Sequence, residues 1–209
     1  MEAAQQVVTA SLGWGEILKI VFASGFVAAL IGLAKDFFFR HRDRLLDAKF
    51  SAIEAIAKLD LYALNSRSNI RNYHDQSASL SPENDYQQWP CCSYPDLEIS
   101  TEVLKKLEAE HASDIAWLST EKALAGEHLH AIYDASFDPT EVYDHQAEVV
   151  GFFGYEAYLL AEKLRSKYEL KSFGERWGVN DGFPDLKNAW EETKKEIAKR
   201  DMSQDSSID

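Results

Sequence analysis

The sequence is short of several things, and each shortage removes a class of function. Its 209 residues hold two cysteines, and these are neighbours, Cys91 and Cys92. Adjacent thiols are not a disulfide framework, which fits a reducing compartment. With no Cys or His cluster at ligand spacing beside them, they read as ordinary thiols. Phosphate-binding glycine loops, a Gly-x-Ser-x-Gly elbow and a His-Glu-x-x-His motif are all missing, and with them the familiar signatures of nucleotide, hydrolase and zinc-protease chemistry. Strand-like alternation of any length is also missing, so an all-α fold is expected. Cations are outnumbered: 22 Lys and Arg against 35 Asp and Glu give a formal net charge of −13. Such a surface repels phosphate backbones, and no nucleic-acid partner is expected.

What the chain does have is an apolar stretch near its start. From Ile17 to Ala34 the single charge is Lys19, and a helix of that length measures about 27 Å, near the roughly 30 Å of a bilayer core. A buried helix of a water-soluble core is the main rival reading. A cleaved signal peptide is disfavoured, because the basic residues follow the run instead of preceding it. Trp14 suits an interface and Lys19 can snorkel to the headgroups. The stretch is therefore expected to be a transmembrane helix, with its flanks covering residues 14–39 after a short outer tail, 1–13. Lys35, Arg40, Arg42, Arg44 and Lys49 lie after it, which by the positive-inside rule puts the remainder in the cytoplasm. Ser24, Ala28 and Gly32, with Gly25 and Ala29 beside them, form a small-residue stripe for helix packing in lipid. Membrane lipid and a homodimer or membrane-protein partner through the span are the expected partners.

The rest, 40–200, is expected to be a small antiparallel cytoplasmic helical bundle ending in a disordered tail, 201–209. Leu46, Phe50, Ile53, Ala57, Leu61 and Leu64 recur at helical spacing, so a helix is expected to continue from the span to about Asn65. Residues 66–98 lose that periodicity and read as a long loop. Ser100 or Thr101 can cap a helix running to about Ser136, with a possible restart at Ser119 and Thr120. Asp138-Pro139 opens another helix to Tyr168, and a last one follows from Asp185 to about Lys199. The Gly- and aromatic-rich loop between them, Trp177 to Pro184, is either a recognition surface or a hydrophobic plug.

Two Glu-x-x-His pairs are the candidate metal ligands: Glu108 with His111, and Glu127 with His130. Residues three apart share a helix face, and carboxylate-bridged metal bundles use this spacing. If the helix breaks near Ser119 the pairs can converge; if not, 19 residues of helix separate them by about 28 Å and one centre is impossible. Asp144, His145 and Glu148 form another polar cluster, read as a solvated face or an acid–base group. No cofactor is expected.

Tyr94-Pro95-Asp96-Leu97 ahead of one helix, and Leu159-Leu160-Ala161-Glu162-Lys163-Leu164-Arg165 with Tyr168 in a later one, resemble uncharacterised bacterial single-span membrane proteins over about residues 15–170. The resemblance implies a bacterial inner-membrane setting and carries no function. The functional expectation is a membrane-anchored helical protein acting through protein contacts. A metal-dependent enzyme on the Glu-x-x-His pairs, or a subunit of a transport or pore complex, is the alternative.

Overall fold

The computed structural model describes residues 14–136, 138–177 and 182–205, without the side chains of 14, 16–28, 139, 201 and 203–205. Among the described residues every regular element is helical. The order is α1 (Trp14–Ser77), α2 (Pro82–Asp85), α3 (Thr101–Leu104), α4 (Ala109–Ala135), α5 (Pro139–Tyr168) and α6 (Pro184–Asp205), with short 3₁₀ turns at Tyr86–Gln88 and Glu175–Trp177. The chain divides into two compact units, Met1–Leu46 and Asp47–Asp209.

In the first unit the membrane expectation is corrected. Among the described residues no helix is long and apolar enough to cross a membrane. In the sequence the uncharged run is Ile20 to Ala34, 15 residues or about 22 Å of helix, short of the roughly 30 Å bilayer core, with Lys19 before it and Lys35 and Asp36 after it. Phe37, Phe38 and Phe39 follow, exposed, and then Arg40, His41, Arg42, Asp43 and Arg44. A transmembrane helix over 14–39 and a single-pass inner-membrane protein with its N-terminus outside are thus not supported. Of the small-residue stripe, the side chains of Ser24, Gly25 and Ala28 lie outside the described residues. Ala29 and Gly32 are exposed, and nothing lies within 4 Å of where a Gly32 Cβ would stand.

The second unit is built around α5. Within Asp47–Ser77, α1 buries Ala52, Ala55, Leu59, Tyr62, Ser66 and Tyr73, a three- and four-residue spacing that keeps one face inward. That helix was expected to stop near Asn65 but runs on to Ser77, because its buried face continues through Ser66, Ile70 and Tyr73. Ser66 reads as a loop residue by type; here it is the place where α5 comes closest. A Cβ on Gly154 would sit 2.6 Å from the Ser66 Cβ, and one on Gly151 2.6 Å from the Ala189 Cβ. Two glycines one turn apart thus let α5 approach α1 and α6.

Pairings along the helices give their directions. Tyr73 meets Asp144 and Asp60 meets Arg165, so α1 runs antiparallel to α5. Lys167 meets Glu108 and Tyr133 stacks near Tyr143, so α4 does the same. Trp190 donates to Glu156 and His145 faces Glu196, which makes α6 antiparallel too. Val150, Ala157 and Ala161 of α5 are fully buried among these neighbours.

The segment between α2 and α3 is extended and pinned to the bundle. Asn69 donates to the Ser93 carbonyl, Gln146 to the Cys92 carbonyl, and Trp89 to the Tyr73 hydroxyl, while the buried Tyr94 hydroxyl finds no partner among the described residues. Tyr94 packs edge-on against Phe153. Ser100 caps α3 through the Val103 amide, and Asp138 caps α5 through the Thr140 amide. The Thr140 hydroxyl also donates to Asp138, and together with the amide it holds the Asp138 carboxyl below its ordinary pKa. At the other end of α5, Glu169 takes a left-handed backbone (φ 51°) as its C-cap.

Candidate functional site

α5 carries apolar residues on its flank as well as on its buried face. Val149, Phe152, Phe153, Leu159 and Leu160 recur at helical spacing over about 17 Å, and they form the floor of a cavity of about 830 Å³. Trp117, Leu118 and Leu124 of α4 make one wall, and Thr193 and Ile197 of α6 the other. Trp117 and Leu124 are more than half exposed, so the wall offers large apolar side chains to whatever enters.

The polar groups around this groove are mostly engaged. Lys163 of α5 bonds Glu110 at 2.6 Å and Asp114 at 2.9 Å, which raises its pKa. Trp190 donates to Glu156 at 2.6 Å. Arg200 of α6 reaches His128 of α4 and joins the two walls at one end; burial, and then Arg200, lower the His128 pKa. Thr193 is buried in the groove, and among the described residues its hydroxyl finds no partner.

At the His128 end lies the most concentrated chemistry among the described residues. His145 Nδ1 is 3.2 Å from Glu148 and 3.5 Å from Glu196. Its imidazole is largely covered while both carboxylates are about half exposed. The Glu148 hydrogen bond raises the His145 pKa, with Glu196 adding to it, against burial and Arg200. These three groups can hold a cation.

The expected ligand pairs fare differently. α4 is continuous through Ser119, so Glu108 with His111 and Glu127 with His130 stand on one helix, about 28 Å apart, and do not form one centre. Glu108 is bonded to Lys167 at 2.8 Å, His111 is buried, Glu127 is exposed, and His130 lies 3.7 Å from Asp134. Within the polar cluster at the start of α5, His145 and Glu148 come together, but Asp144 turns to the Tyr73 hydroxyl. Glu196 was missed: it sits in an acidic, Lys-rich helix 51 residues further on, and only the antiparallel return of α6 brings it in. His-x-x-Glu at 145–148 was the available signal.

Of the aromatic loop, residues 178–181 lie outside the described ones. Its two ends behave oppositely: Phe183 is buried between Tyr158, Phe173 and the Arg67 guanidinium, while Trp177 is 80% exposed. Cys91 is exposed and Cys92 buried, both as free thiols, and burial pushes the Cys92 pKa up to about 12. Compared with known proteins, the chain matches no described family, no curated protein and no solved structure.

Proposed function

We propose that the protein is a helical interaction module whose α4–α5–α6 groove takes an amphipathic helix of a protein partner. The observation that carries this reading is the groove itself, an apolar channel of about 830 Å³ floored by one helix and walled by two. Three helices leaving such a channel offer a fourth the same ridges and grooves they offer each other. Helix-in-groove recognition reads apolar anchors at i, i+3, i+4 and i+7; the floor offers Val149, Phe152 and Phe153 at i, i+3 and i+4, and Leu160 two turns beyond Phe153.

Charge narrows the partner. The rim acids Asp114, Glu121 and Glu156 outnumber the rim cations Lys163 and Arg200, and although Asp114 pairs with Lys163 and Glu156 accepts from Trp190, the rim keeps a negative excess. With a net charge of −13 behind them, a helix with Lys or Arg flanking its apolar stripe is favoured over an acidic one.

The test is calorimetric titration of the full chain with a synthetic helix of about 18 residues, leucine at the anchor positions and lysine elsewhere, beside its glutamate counterpart. The lysine peptide should bind with one site per chain, and Leu124→Asp, on the exposed wall, should weaken it by about tenfold or more. Equal binding of both peptides, no loss in Leu124→Asp, or a self-associated chain that Leu124→Asp disperses would overturn the reading.

A further inference from the structure

The grouping of His145, Glu148 and Glu196 has the dimensions of a metal site. A tetrahedral cation holds N and O donors at about 2.1 Å, which puts the donors about 3.4 Å from one another. His145 Nδ1 lies 3.2 Å from Glu148 Oε2 and 3.5 Å from Glu196 Oε2, and the three donor atoms all fall within 4.8 Å of each other. Two donors come from one turn of α5, His145 and Glu148, and the third from α6. The two helices are already held together there by packing, as the Gly151–Ala189 approach shows.

Two further observations favour a cation. A crevice of about 420 Å³ opens on the three groups, enough for an ion and the waters that complete its shell. Glu141 and Asp144 line the same crevice, so the local field is acidic; Arg200 and His128 are the cationic or titratable groups facing His145 from α6 and α4.

We propose that His145 Nδ1, Glu148 and Glu196 bind one divalent transition-metal ion of the zinc class. Imidazole with carboxylates suits zinc, manganese or iron(II); calcium and magnesium prefer oxygen donors alone. Three protein donors leave a coordination position for water. To ligate a metal, His145 must give up any proton on Nδ1. Metal and proton therefore compete, and binding strengthens as pH rises. This site does not depend on the groove taking a partner helix.

The experiment uses zinc alone with the full chain, in competition with a chromophoric chelator, at pH 6 and pH 7.5. Wild type should take up one zinc ion per chain, more weakly at pH 6. Glu196→Gln should lower the affinity by about tenfold or more, His145→Ala should abolish one-to-one uptake, and Cys91→Ser should change neither. Far-UV circular dichroism checks that each variant is helical; Glu148→Gln supplies a second carboxylate variant should Glu196→Gln fail to fold. No zinc uptake by folded wild type, equal uptake by His145→Ala, or loss of uptake in Cys91→Ser would overturn the proposal.

Discussion

Arg165 is the most consequential charged residue of the bundle. Its side chain is 7% exposed, pairs with Asp60 across the α1–α5 interface, and bonds Glu162 at 2.7 Å. Burial raises the Asp60 pKa even with the guanidinium beside it, so that carboxylate depends on the arginine for much of its tolerance of burial. Arg165→Met, which strands Asp60, should cost about 3 to 5 kcal/mol in urea unfolding, and Asp60→Asn clearly less. Thr193→Val removes a buried hydroxyl with no partner among the described residues and should stabilise by about 1 kcal/mol. His145 gives a pH signature in metal-free protein. Its folded pKa is raised above 6.5, so its contribution is complete below the unfolded pKa and fades as pH climbs through the folded one. Thermal melts of wild type and His145→Gln should therefore differ most near pH 5.5 and converge at pH 9.

At the scale of elements, α5 is the helix on which the others depend, and its two glycines set how closely they come. Gly154→Ala would push a methyl group to 2.6 Å from Ser66 Cβ, an atom fixed to its backbone. About 1 to 3 kcal/mol of destabilisation is expected by chemical denaturation. Helix periodicity in the sequence identifies α5, with its clear Asp138-Pro139 start, and most of α4 and α6; the helix expected from Ser100 or Thr101 instead breaks between Leu104 and Ala109, and α6 continues past Lys199 to Asp205. The end of α1 was not legible, since Ser66 and the Asn- and Arg-rich turns around it look like loop until α5 is placed against them. Small residues did mark close helix approach, but at 151 and 154; the stripe around Gly32 meets nothing among the described residues. The apolar residues of the groove floor are visible in the sequence, though whether their flank is covered or open depends on how α4 and α6 pack, which no one-dimensional pattern states.

For the whole molecule, the second unit joins an acidic surface to an apolar channel, and at one end of that channel sits a histidine between two carboxylates. Raising the salt concentration should weaken a basic partner helix, as rim attraction is screened, while the apolar anchors keep it seated. Trp117 reports on the channel directly, being 57% exposed on the α4 wall. The decisive measurement is fluorine NMR of the 5-fluorotryptophan-labelled chain, with the Trp117 signal assigned by Trp117→Phe, during titration with the leucine–lysine helix. The groove account predicts that the Trp117 resonance shifts and loses its solvent isotope effect while that of exposed Trp177 stays put. A bound peptide that leaves the Trp117 signal unmoved would contradict it.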